Sequence, residues 1–322
     1  MLFKKTGNTP YYIVTLAGIL AIILWASNIA FSKSTMEMEG NYNAAFYIYF
    51  YSAFVLFIIM IAFQKRLSFF KKLKNLSLAY YMKTGIFFIL NNVLLFIAIG
   101  MARKNEELII VTLLNYTWPI MIYVIGIPLF KLRISAKTIL PGVLLSFSGI
   151  MLALLQGYNT DDIEQIIKAG DDNILAYVLA FLTATSWAIY SNLTVKYSTN
   201  NDMAGIPVIF LISSLFFLLI QGLNGQITTI HLNAIVSNTD LLYIVLGPTS
   251  LGYLFWYIVI KKGNKNLATS LSFFIPLLSL LFIRAKFHIQ IGISFWLAVI
   301  LLISGSYLCY QSFRQAFTTK KT

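Results

Sequence analysis

The sequence predicts an all-α integral membrane protein, with ten transmembrane helices arranged as two inverted five-helix repeats around a central cavity. Three observations lead there: a membrane-like composition, ten apolar stretches of spanning length, and motifs that recur in the same order in both halves. Of 322 residues, 59% are hydrophobic and only 11% charged, where soluble domains carry about 25% charged residues. Mean hydropathy is +0.79.

The same composition excludes several classes. One cysteine, Cys309, can build neither a disulfide nor a cysteine-based zinc or iron–sulfur site within the chain. His231 and His288 both fall near segment ends, which argues against a buried histidine metal cluster. No metal and no cofactor are expected. The net charge of +13 raises nucleic acid as a partner, but its distribution along the chain is that of a membrane topology signal, so no nucleic-acid partner is expected.

A helix crossing the hydrocarbon core needs about 20 mostly apolar residues. The first candidate, Tyr11–Phe31, follows Lys4 and Lys5 as a cleaved signal peptide would, but its apolar run is long and carries Trp25 mid-span. Ala44–Phe63 and Met82–Ala102 come next, the latter holding Asn91 and Asn92. The fourth, Leu108–Ile127, contains the unusual run LLNYTWPIMIY, and the fifth, Ile134–Gln156, contains SFSGIML. The longest connection, Gly157 to Asn173, reads as a short surface helix between the halves. Ile174–Val195, Ala204–Gly222, Leu241–Ile260, Leu267–Ile283 and Ile289–Phe313 complete the set.

Placing the N-terminus inside puts 18 of the 24 Lys and Arg residues on that side, and 10 of the 11 acidic residues on the other. The positive-inside rule therefore predicts cytoplasmic termini. Every charged residue lies in a loop or near a span end. The intramembrane carboxylate that usually marks an ion relay is absent from the sequence pattern.

The halves resemble each other. LAIILWASNIAFSK in the first span aligns with LTATSWAIYSNLTVK in the sixth, Trp25 on Trp187. The fourth and ninth spans carry mid-span prolines, Pro119 and Pro276; the fifth and tenth share small-residue pairs at Gly149 and Gly305. The separations are 162, 157 and 156 residues, which a single duplication with small insertions explains. Five spans per copy is an odd number, so the second copy enters the membrane inverted, an architecture that recurs in transporters with the substrate near the midplane.

These features together resemble the drug/metabolite transporter superfamily built from two EamA-type repeats, over about Tyr11 to Tyr310. The run NYTWPI, through Asn115, Tyr116, Trp118 and Pro119, resembles the aromatic amino acid exporter branch. The resemblance implies a first EamA-type repeat in residues 1–156, an extracytoplasmic linker at 157–173 and a second, inverted repeat with a cytoplasmic tail in 174–322. It also implies a bacterial inner-membrane protein that exports aromatic amino acids and related small molecules.

Helical geometry, at about 100° per residue, assigns faces. In the fourth span Thr112, Asn115, Tyr116, Trp118, Pro119 and Tyr123 share an arc of about 160°. In the sixth, Thr183, Trp187, Tyr190, Ser191 and Thr194 share about 100°. Gly18, Ala21, Trp25, Asn28 and Ser32 line up in the first span, and Thr249, Tyr253, Trp256 and Tyr257 in the eighth. Ser272, Phe273 and Ser279 share the side of Pro276 in the ninth. Any one such hydroxyl or amide is commonly an interhelical hydrogen bond, and tryptophan commonly marks the headgroup belt. Trp118 and Trp187 lie mid-span, where there is no belt. Polar-aromatic faces at that depth must point at protein or water.

The predicted substrate-binding set is therefore Trp25, Asn28, Asn91, Asn115, Tyr116, Trp118, Tyr123, Trp187, Tyr190, Tyr253, Trp256, Tyr257 and Phe273, with Pro119 and Pro276 as hinges. A wall of rings and amides without fixed charge suits a small, neutral, aromatic solute. The predicted partners are that solute and the lipid bilayer, and the chain is expected to be a monomer. Export of drugs, purines or other metabolites on the same fold is the alternative, and a receptor or scaffold without a transport cycle is a third class. An intramembrane enzyme needs a nucleophile–base pair or metal site, and the sequence has no HExxH, no Walker-type loop and no mid-span His or carboxylate. Downhill facilitation is the simplest energetics; proton coupling would have to use Glu106, Glu107 or Asp240 near span ends.

Overall fold

A computed structural model describes residues 11–64, 66–103, 105–131, 134, 136–154, 173–197, 202–223, 233–262, 271–287 and 293–319. Both histidines, the expected surface helix at 157–172 and the start of the ninth stretch lie outside these residues. Among the described residues the structure is helical and holds no strand.

The first half runs α1 Tyr11–Glu39, α2 Asn41–Gln64, α3 Arg66–Lys74, α4 Leu78–Tyr80, α5 Ile86–Met101, α6 Asn105–Asn115, α7 Trp118–Leu129 and α8 Ala136–Leu154. The second runs α9 Ile174–Lys196, α10 Asp202–Leu223, α11 Ala234–Ser237, α12 Thr239–Leu246, α13 Tyr253–Lys262, α14 Ile275–Phe287 and α15 Ile293–Thr319. A π-turn at Tyr81–Gly85 joins α4 to α5, and another at Gly247–Gly252 joins α12 to α13. Among the described residues six helical stretches are long and apolar enough to cross a membrane, and 118–129, 139–152 and 296–312 are shorter apolar helices.

Burial follows what lipid demands. On α1, Leu16, Ile19, Leu20 and Ile23 face outward while Ala21, Ala26, Ser27 and Ser32 are buried; on α9, Leu175, Val178, Phe181 and Leu182 face outward while Thr183, Ala184 and Ala188 are buried. Large apolar side chains contact lipid, and small or polar ones contact protein.

Close helix packing divides the bundle into four units. One group joins α1 to α12, α13 and α14; a second joins α9 to α5, α6 and α7; α8 pairs with α15, and α2 pairs with α10, the latter pair also packing on α1 and α12 through α2 and on α5 through α10. A carboxylate ties each three-span group. Asp240 on α12 receives hydrogen bonds from Lys286 on α14 and Ser34 on α1. Glu107 on α6 accepts from the Arg103 backbone N–H at 3.0 Å and from Asn173 Nδ2, at the start of α9, at 2.8 Å. Asn192 on α9 also donates to the Ile122 carbonyl of α7 at 2.9 Å, close to the bare backbone of Gly126.

The fourth span departs from expectation. Instead of one kinked helix, α6 stops at Asn115 and α7 begins at Trp118. Pro119 has no N–H, so the Asn115 carbonyl loses its helical donor. Thr117 closes the break by bonding the Leu114 carbonyl through both its N–H at 3.2 Å and its hydroxyl at 2.7 Å. Pro276 sits likewise at the second residue of α14, after a 3-10 turn Ser272–Phe274, where the Ile275 N–H meets the Ser272 carbonyl.

The α8–α15 pair is the tightest contact. A Cβ on Gly305 would lie 2.5 Å from the Ser146 backbone nitrogen and 2.6 Å from the Gly142 carbonyl; one on Gly142 would lie 2.9 Å from the Cys309 nitrogen. Backbone cannot yield as a side chain tip can, so Gly305→Ala is expected to push the helices apart. Its overpacking should cost about 1–3 kcal/mol, read as a lowered Tm of the purified protein in detergent. An unchanged Tm would contradict this packing.

Candidate functional site

The two three-span groups approach each other through side chains, and that seam holds an aromatic cluster. Trp25 on α1 meets Trp187 on α9 at 5.4 Å and Tyr253 at 5.2 Å, both edge-on, and Trp256 at 5.0 Å with the rings tilted by 48°. Trp118 on α7 meets Trp187 and Trp256, each at 6.1 Å and near-perpendicular. Edge-to-face geometry at these separations is the attractive arrangement for aromatic quadrupoles. The π-turn helps seat Trp25, since a Cβ on Gly252 would lie 2.9 Å from its Nε1. The fifth tryptophan, Trp296, lies on the exposed face of α15.

On one side of the cluster is a cavity of about 80 Å³. Trp25, Asn28 and Ile29 of α1, Tyr253 of α13 and Ile275 of α14 line it from the first group. Asn91 and Leu95 of α5, Asn115, Tyr116, Trp118 and Trp187 line it from the second. On the other side is a smaller void of about 20 Å³, bounded by Tyr190, Ser191, Thr194, Trp256 and Tyr257, with Ile206 at the start of α10. Trp187 and Tyr253 wall both spaces.

Of the residues expected in the binding wall, Trp25, Asn28, Asn91, Asn115, Tyr116, Trp118, Trp187 and Tyr253 converge on the larger cavity. Tyr190, Trp256 and Tyr257 face the smaller void. Trp118 and Trp187 are 7% and 5% exposed, so neither indole faces lipid. Two residues stand apart from both spaces. Tyr123 and Phe273 line neither space; they stack on each other at 6.3 Å with planes 20° apart, joining α7 to the turn before α14. Phe88 was not anticipated. It packs on Trp187 at 5.9 Å, Tyr190 at 4.7 Å and Tyr253 at 5.1 Å. Its spacing to Asn91 and Leu95, i, i+3 and i+7, put it on their face.

Several polar atoms at the seam have no hydrogen-bond partner among the described residues. They are Nε1 of Trp25 and Trp187 and the Tyr116 hydroxyl at the larger cavity, and the Ser191 and Thr194 hydroxyls at the smaller void. The Tyr116 and Ser279 hydroxyls lie side by side without meeting hydrogen-bond geometry. Each such buried group costs about 1–3 kcal/mol, so their gathering at two adjoining spaces marks where a polar ligand or solvent belongs. The amides behave differently. Asn91 Nδ2 donates to Asn92 Oδ1 at 3.2 Å, Asn92 to Ser213 at 3.4 Å, and Ser32 to Asn28 Oδ1 at 3.3 Å. Asn92 is thus part of the frame, linking α5 to α10. No described cluster of His, Cys, Asp and Glu could hold a metal ion.

Residues 174–311 match the EamA-like transporter family. The chain is 26% identical over 303 residues, 94% of its length and 98% of the relative's, to the aromatic amino acid exporter YddG of Escherichia coli strain K12. A Salmonella typhimurium protein of the same name is also 26% identical, over 301 residues. The uncharacterized transporter YvbV of Bacillus subtilis strain 168 matches at 24% identity over 51% of this chain and 50% of that one. A solved crystal structure shares the fold, with a TM-score of 0.68 and 20% identity, over 93% of this chain and 98% of the other. The second half of the chain thus resembles an EamA-type transporter domain, and along nearly its full length the protein resembles the aromatic amino acid exporters, which are transporters rather than enzymes.

Proposed function

We propose that the protein exports small neutral solutes, aromatic amino acids foremost, by alternating access at the seam between its two three-span groups. One observation carries this reading: rings and amides from α1, α5, α6, α7, α9 and α13 converge on one cavity whose lining holds unpartnered donors and no charged side chain. Aromatic rings would stack on the tryptophans, and the zwitterionic head would meet Asn28, Asn91, Asn115 and the Tyr116 hydroxyl. The exporter relatives point to the same solute class.

The fold proposed is ten spans in two inverted repeats, with α6 and α7 together as one broken span. The packing pattern supports it. Exchanging α1 with α9, α2 with α10, α5 with α13, α7 with α14 and α8 with α15 turns the six most extensive helix pairs into one another: α1–α14 becomes α9–α7, and α1–α13 becomes α9–α5. The α2–α10 and α8–α15 pairs map onto themselves. Matched residues near a two-fold axis should touch, and Trp25 and Trp187 do. The cavity of about 80 Å³ has room for several waters but not for an indole, so binding requires the groups to separate. Breaks at Pro119 and Pro276 supply the hinges.

In proteoliposomes, Trp118→Ala and Trp187→Ala should lower the ratio of tryptophan to leucine flux by about 2- to 10-fold, the worth of one aromatic contact. Tyr123→Leu, off the cavity, should leave the ratio within about twofold. Flux normalised to protein is the measurement, and unchanged ratios in both alanine variants would remove the support for this cavity.

Two further outcomes test orientation and energetics. A reporter active only in the periplasm should be silent after Thr322 and active within Asp161–Asp172. A pH gradient imposed without membrane potential should not accumulate substrate above equilibrium, because the cavity lining carries no titrating carboxylate or imidazole.

A further inference from the structure

We propose that Ser191 and Thr194 form a second binding station on the cytoplasmic side of the tryptophan cluster, which takes the carboxylate of the solute before it passes into the larger cavity. This rests on the transport reading and on cytoplasmic termini. Both residues lie on one face of α9, three apart, and line the void of about 20 Å³ beside Trp256 and Tyr257. Ser191 is 3% and Thr194 6% exposed, and neither hydroxyl has a hydrogen-bond partner among the described residues. A fully buried hydroxyl without a partner is a cost, and here two of them, three residues apart on one helix, line one space.

The size of that space selects the ligand group. It takes one or two water-sized polar groups rather than a ring, so the station holds the head group, and the aromatic part reaches Trp256 and Tyr257 only once the two groups separate. Charge selects its sign. Lys196 is in the last turn of α9, where it covers the negative end of the helix dipole. Its ammonium and that of Lys83 lie 5.7 and 5.3 Å from the Tyr197 ring centre, about 4.5 Å along the helix axis beyond Thr194. An anion entering from that end is attracted, and two hydroxyls can each donate to its oxygens. Trp187 and Tyr253 then separate this station from the larger cavity, as walls common to both.

The test is the paired variant Ser191→Ala with Thr194→Val, which keeps shape and removes both hydroxyls. Equilibrium binding of phenylalanine and of phenylalaninamide, in which the carboxylate is neutralised, is compared in purified protein. Half-saturation of phenylalanine flux is then measured separately from each face of oriented proteoliposomes. The station predicts that phenylalanine binding loses about tenfold, the worth of one charge-assisted hydrogen bond, while amide binding changes little. It also predicts that half-saturation rises from the cytoplasmic face alone, with Tm not lowered and Thr194→Ser close to wild type. Equal changes for acid and amide, equal shifts on both faces, or a lowered Tm with unchanged binding would overturn it. Absence of flux in the wild-type protein would instead overturn the transport reading, and the binding comparison would still decide whether the station exists.

Discussion

In a hydrocarbon environment a polar group has no water to fall back on, and that constraint orders the whole molecule. Hydroxyls along the helices turn back onto their own backbone: Thr183 onto the Leu179 carbonyl, Ser213 onto Ile209, Thr84 onto Tyr80. The buried carboxylate of Glu107 is met by two donors, and Asp240 by two more. Against that pattern, the unpartnered indole and hydroxyl groups at the seam gather around two spaces, whereas those of Ser146, Gln221 and Ser250 lie singly elsewhere in the fold.

The same seam is where the structure can move. Inside each three-span group, helices touch closely and are pinned by carboxylates and by Asn192. Along α8 and α15, glycines bring backbone against backbone, leaving no slack. Between the groups the contacts are ring against ring, through Trp25, Trp118, Trp187, Trp256 and the Tyr123–Phe273 stack. Such contacts are worth about 0.5–1.5 kcal/mol each beyond buried area, and they can slide without leaving a backbone bond unmade. The two helices that face each other across the seam through the Tyr123–Phe273 stack are also those broken before Pro119 and Pro276. Rigid groups, a soft aromatic join and loosened helices are the parts an alternating-access carrier requires, and here they coincide.

How far the sequence alone could reach is set by helical phase. Trp25 and Asn28, and separately Trp187, Tyr190 and Ser191, sit on unbroken helices, so a rotation of about 100° per residue put each set on a face that meets one of the two spaces. Tyr123 lies beyond the break at Tyr116–Thr117, and phase counted through that break no longer holds. Phe273 lies in a 3-10 turn, whose residues advance by about 120°, and it fell out of the wall for the same kind of reason. Phe88, Leu95 and Ile275 are apolar in an apolar chain, so nothing in their chemistry separated cavity-facing from lipid-facing positions; only their spacing to Asn91 or Pro276 could have. The division of the hydroxyls into two spaces depends on where α9 and α13 meet, which no single-helix pattern contains.

The central claim is that aromatic solutes occupy the seam between the two groups. Photolabelling with a diazirine-bearing phenylalanine analogue, followed by mapping of the modified peptides, tests it most directly. The account predicts label on residues around Trp25, Asn115–Trp118 and Trp187, and loss of that label when unlabelled phenylalanine is added. Label confined to the lipid-facing surface around Trp296, or label that phenylalanine does not displace, would contradict it.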